Sequence, residues 1–250
     1  MELDFTAASQ LEYSKFFLEW PWVGLGACAV ILILAFGTDF LRKDTAKGRW
    51  RDPAWLAWLG AAAYMLHNVE EYGIAANGMF NAFPAFMYAA MGFQVSEAAY
   101  LACNLGLVWV CGPMAALLAR RHRGMAACMS IFELINGLSH VVQATAFRMY
   151  NPGLVTAVAV FIPLCIWTLI VCFGKKGDSQ PLRVFWGQFA VAAVYHVLLF
   201  GGIFAARAGV IGSLGQGLWM VADAIIALGG WYLVATRLDK DAGGSEVEVG

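Results

Sequence analysis

The chain has 250 residues, of which 61% are hydrophobic, 14% aromatic and only 13% charged, with a formal net charge of −1. A soluble domain of this length carries nearer a quarter charged residues, which excludes a water-facing globule. No basic patch interleaved with aromatics supports nucleic acid as a partner. The expectation is an all-α, polytopic membrane helix bundle.

In chain order, apolar stretches near residues 16–38, 54–74, 96–119, 125–147, 153–174, 183–206 and 213–236 predict seven transmembrane helices, each of about the 20 residues that a hydrocarbon core requires. The residues before the first stretch are acidic and polar, unlike a cleavable leader. Residues 77–92 are aromatic and broken by Pro84; they predict an interfacial segment or a short lid helix. Basic residues follow alternate spans: Arg42, Lys43, Lys47, Arg49 and Arg51, then Arg120, Arg121 and Arg123, then Lys175, Lys176 and Arg183, then Arg237 and Lys240. The intervening loops hold only Arg148 and Arg207. The positive-inside rule then puts the N-terminus outside and the C-terminus in the cytoplasm. Residues 1–240 form one seven-helix domain, and the polar tail 241–250 is expected to be disordered. The six cysteines lie in apolar runs without metal-type spacing and read as small buried hydrophobes.

Ionisable groups inside such spans are costly and mark functional sites. His67-Asn68-Val69-Glu70-Glu71 has three within five positions. At about 100° per residue, Glu71 lies roughly 40° from His67 and Glu70 roughly 60° the other way, so all three can face one neighbour. The fourth span carries Glu133, Asn136 and His140 on one stripe, extended by Gln143. The third carries Gln94, Glu97, Tyr100 and Asn104, the sixth His196, and the seventh Asp223 with Trp219 and Gln216. At about 1.5 Å per residue, His67 and His196 sit roughly 19 Å and His140 roughly 23 Å above the inner ends of their spans. Asp223 and Asn104 reach the same level and Glu133 a little lower, which predicts one shared site. Asn104, Gln143 and Gln216 also suit ordinary interhelical hydrogen bonds, Glu97 an interfacial position, and His122 an exposed loop.

The motif His67-Asn68-Val69-Glu70-Glu71, the later His140 and Tyr150-Asn151-Pro152-Gly153 occur in the order found in the HXXEE family of bacterial membrane proteins, which the chain resembles. The resemblance spans residues 67–153, implies an integral protein of a bacterial inner (plasma) membrane, and brings no activity with it. Read physically, Pro152 suits entry into the fifth span with Asn151 as its cap, and Tyr150 an interfacial aromatic.

Three intramembrane histidines with carboxylates nearby are ligand stock for a divalent transition metal, zinc or iron, as one or two ions. In that reading His67, His140, His196 and Glu71 are metal ligands. Glu70, Glu71, Glu133 and Asp223 supply the base, the catalytic carboxylates or the ligands of a second ion. Tyr100, Asn104, Asn136, Tyr150 and Trp219 contact substrate, a membrane lipid or lipophilic small molecule. The result would be a membrane-embedded metalloenzyme of hydrolase or oxygenase type. The alternatives are a metal-free lipid isomerase or cyclase using His67 and Glu71 as an acid–base pair, and a proton- or metal-coupled transporter.

Overall fold

A computed structural model describes Phe5 and residues 11–239; the expected tail 241–250 lies outside the described residues. Backbone donors and acceptors cannot be left unpaired in hydrocarbon, and the chain answers with helices throughout. Among the described residues there is no strand, only an isolated bridge between Ile74 and Phe80.

The helices are α1 (Lys15–Gly37), α2 (Pro53–Asn68, continued by a π turn Val69–Gly73), α3 (Ala82–Met91), α4 (Glu97–Ala119), α5 (Arg123–Phe147), α6 (Leu154–Phe173), α7 (Leu182–Arg207) and α8 (Ser213–Arg237). Six of them, all but α2 and α3, are long and apolar enough to cross a membrane. Helix α2 is the exception because its regular part has 16 residues. It is also the centre of the bundle rather than a lipid-facing rod. Only Trp58 and Leu66 among those 16 escape full burial, and α1, α4, α5 and α6 all pack against it.

The starts of these helices follow from local chemistry. Asp52 is fully buried, and its Oδ1 accepts the N–H groups of Ala54 and Trp55 at 3.0 and 3.3 Å. Its Oδ2 accepts those of Lys43 and Asp44 at 2.7 and 3.0 Å. With Pro53 at the first helical position, one carboxylate both caps α2 and pins the preceding loop. Ser14 caps α1 and is itself held by the half-buried Glu97 carboxylate at 2.5 and 2.7 Å, so Glu97 ties the start of α1 to the start of α4. Ser96 caps α4, and Ser96 N–H is taken by Gln216 at 3.2 Å.

The basic loops gather on one face of the bundle. Arg120 reaches the carbonyls of Phe40 and Arg42, Lys47 lies 3.5 Å from Asp178, and Arg123 forms a fork on Asp239 at 2.8–3.0 Å. Small residues set the spacing there. A Cβ added to Gly124 would lie 2.9 Å from the Cα of Ala235 and 3.3 Å from Val184, so α5, α7 and α8 meet at a point only glycine fits. Gly124→Ala should force α8 outward, costing about 1–3 kcal/mol and lowering the thermal midpoint of the detergent-solubilised protein. An unchanged midpoint would contradict this packing.

Candidate metal centre

The site lies at the end of α2 remote from the basic loops. There the π turn Val69–Gly73 widens the helix, a distortion that recurs at functional positions. Glu71 Oε1 is 3.5 Å from His67 Nε2 and 3.4 Å from His140 Nε2. The two imidazole rings stand nearly perpendicular, at 80°, with centroids 4.9 Å apart. One ligating atom from each of the three residues lies within 4.8 Å of the others, and all three residues are buried.

The partners on the far side of each ring fix which nitrogen faces inward. Thr156 Oγ1 donates to Glu70 Oε2 at 2.6 Å, so its lone pairs are left to accept the Nδ1–H of His67 at 2.7 Å. Asn151 Nδ2 donates to Gln143 Oε1 at 3.3 Å, which turns Asn151 Oδ1 toward the Nδ1–H of His140 at 2.9 Å. Both rings are thereby assigned protonated Nδ1 and a bare Nε2. Two imidazole lone pairs and a carboxylate oxygen then converge. Such atoms repel unless a cation lies among them, either a proton on one ring or a metal ion. His67 Nε2 has no hydrogen-bond partner among the described residues. In a tetrahedral site with ligands at about 2.0–2.1 Å, the ligand atoms are about 3.3 Å apart. The observed separations of 3.4 and 3.5 Å need little adjustment.

Glu70 has a different job from Glu71. Its Oε1 accepts Tyr150 Oη–H at 2.7 Å and Val155 N–H at 3.0 Å. Its Oε2 accepts Thr156 N–H at 2.7 Å together with the Thr156 hydroxyl. Glu70 therefore caps α6 from another helix and complements its positive N-terminal end. Burial and the carboxylate it donates to push the Tyr150 phenol well above its ordinary pKa, so it stays a donor; its oxygen also accepts Ala76 N–H at 3.0 Å. With its oxygens committed in this way, Glu70 is a positioning residue and not the expected base.

The Tyr-Asn-Pro-Gly segment is part of the site and not simply a helix entry. The expectation that Asn151 caps the fifth span is corrected: its side chain supports His140, and α6 starts at Leu154 after Gly153. Gly153 adopts a left-handed φ of +96°, and a Cβ there would lie 2.6 Å from Cε1 of both His67 and His140. The backbone passes directly against the two rings because no side chain is in the way. The 77–92 segment is the short helix α3, whose Phe83 ring lies 6.1 Å from His140 and 5.6 Å from Tyr72, roofing the site. Phe161 and Tyr64 close the other side of His67, at 4.5 and 5.4 Å between ring centroids.

Other expected members lie elsewhere. His196 donates its Nδ1–H to the Ala192 carbonyl, 2.7 Å away, and stacks on Phe132 at 4.9 Å. The rings of Phe132 and Tyr64 stand in series between it and His67, so His196 is not gathered into the cluster. Glu133 is fully buried beside Gly60 and Cys165 Sγ, the latter at 3.5 Å. It sits two helical turns from His140, about 10 Å along α5. Asp223 is buried against Tyr195 and Ala227, at the edge of a cleft between α7 and α8. Neither acid belongs to the converging group, and no second group of three such ligands occurs among the described residues. Asn104 accepts from Asn68 Nδ2 at 2.8 Å and donates to Tyr72 and the Tyr100 carbonyl, tying α4 to the base of the motif. Tyr100 packs 5.6 Å from Tyr72 and 6.4 Å from Phe83, within the roof. Asn136 is half-buried, its Oδ1 without a partner among the described residues. Trp219 is 38% exposed, donates to the Leu198 carbonyl at 2.8 Å and fills the space over Gly202, which makes it a packing residue between α7 and α8. Residues that the sequence did not single out are Thr156, Gly153 in its contact with the rings, and Phe83. Gly153 was visible in its motif, whereas Thr156 carried no signal.

No curated protein and no solved structure matches the chain. One family model does, that of the "Protein of unknown function with HXXEE motif", over residues 58–168. That stretch, less than half of the chain, contains His67, Glu70, Glu71, His140, Asn151, Gly153 and Thr156, and over it the chain is similar to the HXXEE family.

Proposed function

We propose that this chain is a membrane-embedded, metal-dependent enzyme acting on a lipophilic small molecule, with one divalent cation held by His67, Glu71 and His140. The observation that carries the reading is the convergence of two imidazole nitrogens and one carboxylate oxygen within 4.8 Å, with both rings held by partners that leave Nε2 bare. Two histidines and one carboxylate suit zinc or iron(II) and leave coordination positions open for water or substrate. When bound, such an ion supplies a Lewis acid and an activated water, or an iron centre for oxygen chemistry.

The chain's own contribution is orientation and exclusion of water. Glu70 and Thr156 hold His67, Asn151 and Gln143 hold His140, and Phe83, Phe161 and Tyr64 surround the rings. The lipophilic character of the substrate is supported by a groove of about 390 Å³ between α1, α2 and α6, lined by apolar side chains including Ala63, Leu66, Ala159 and Val160. Its α2 wall reaches Leu66, beside His67, and its α6 wall begins one turn beyond Thr156. The basic face is the inner one in this reading, so the site lies in the outer half of the bilayer.

The test is elemental analysis of protein purified without a metal-affinity tag, followed by incubation with a bacterial lipid extract and mass spectrometry of the products. One zinc or iron per chain and a changed lipid species, both absent from Glu71→Ala, are expected. A metal-free protein that still converts a lipid, and loses this with Glu71→Gln, would replace the reading with acid–base catalysis. A further expected result concerns the supports. Thr156→Val and Glu70→Gln should each weaken metal binding by about 10–100-fold, measured by competition with a chromogenic chelator; unchanged affinity in both would contradict their positioning role.

A further inference from the structure

The face opposite the metal centre has a cleft of about 510 Å³ where the loop after α1, the α4–α5 turn and the end of α8 meet. Lys43, Arg121 and Arg123 line it against a single carboxylate, Asp239, so cations are in excess. Arg123 is already committed, forked on Asp239 and donating to the Asp178 carbonyl at 3.0 Å. Arg120 turns away to the carbonyls of Phe40 and Arg42. Lys43 and Arg121 are exposed, and neither has an ion pair among the described residues. The 25-residue helix α5 begins at this cleft, so its N-terminal N–H groups add positive potential at the same place. His122 stands on the rim with its ring edge-on to Tyr232, at 5.3 Å.

We propose that this cleft binds a phosphate-bearing anion. The source favoured by its position is the headgroup of an anionic phospholipid. Tyr232, Leu233 and Leu117 are 41%, 55% and 51% exposed on the α8 and α4 surfaces leading away from the cleft. Acyl chains can lie along that surface while the phosphate meets Lys43 and Arg121. Basic pockets between transmembrane helices recognise anionic headgroups in this way. The inference is independent of the metal centre, which lies at the other end of the bundle and shares no residue with the cleft.

The test uses the full chain purified in an uncharged detergent and titrated with dioctanoyl phosphatidylglycerol, dioctanoyl phosphatidylcholine or inorganic phosphate, with binding read from the thermal midpoint and from native mass spectra. Saturable binding of one phosphatidylglycerol is expected, with the zwitterionic lipid on the order of tenfold weaker. The double variant Lys43→Ala/Arg121→Ala should lose on the order of tenfold or more in affinity, and Lys175→Ala, an exposed basic residue outside the cleft, should match the parent. Arg121→Gln keeps a hydrogen-bonding side chain of similar reach and should still weaken binding, which separates charge from packing. Saturable binding of inorganic phosphate with the same dependence on Lys43 and Arg121, and no gain from the lipid, would keep the anion site and assign it a free phosphate. No saturable binding of either probe, or an equal loss in Lys175→Ala, would overturn the proposal.

Discussion

Gly153→Ala is expected to abolish ion binding while leaving the helix bundle assembled. The added Cβ would sit 2.6 Å from Cε1 of both His67 and His140, well inside van der Waals contact. At least one ring must therefore swing away, which breaks its bond to Thr156 or Asn151. The left-handed φ of +96° adds a backbone cost of about 1–2 kcal/mol for a residue with a Cβ. Losses at a site of this kind are steep, because a shift of about 1 Å already degrades its geometry. Metal content should fall to background, with the helical circular dichroism retained. Full metal occupancy in Gly153→Ala would show that the glycine does not set the distance between backbone and rings.

Removing a ligand should be at least as damaging. His140→Ala and Glu71→Ala each leave two protein ligands, and the affinity loss should exceed the about 10–100-fold typical of a lost supporting partner. Binding is also stability. With free ion at about 100–1,000 times its dissociation constant, the folded chain gains about 2.7–4.1 kcal/mol. A chelator should therefore lower the thermal midpoint of the parent protein, and it should leave His140→Ala and Glu71→Ala unchanged. If the chelator moves the midpoint of the variants as much as that of the parent, the ion sits elsewhere. His196→Ala is the internal control: its imidazole is engaged with Ala192 and Phe132, and metal affinity should be unaffected.

These expectations depend on features that the sequence revealed unevenly. The long helices were legible because hydropathy and length act locally, and α1, α7 and α8 begin and end within a residue of the predicted spans. The pairing of His67 with Glu71 was legible too, since i and i+4 share a helix face. Depth was less informative than it looked. It brought His140 to the level of His67 and Glu71, beside which it lies, but also drew in His196, Glu133 and Asp223, because a residue's height along a helix says nothing about the direction in which that helix is turned. The role of Glu70 was hidden for another reason. Its partners, Tyr150, Val155 and Thr156, come from about 80 positions later in the chain, beyond the reach of any local pattern. Asn151 was read as a cap because asparagine before a helix usually is one; here Glu70 takes that task, which frees the amide for His140.

The most direct test of the central claim is X-ray absorption at the metal edge of the loaded, purified protein. The account predicts a first shell of nitrogen and oxygen only, at about 2.0–2.2 Å, with the outer-shell scattering of two imidazoles, reduced to one in His140→Ala. Sulfur in the first shell, a third imidazole that disappears in His196→Ala, or a spectrum unchanged by His140→Ala would contradict it.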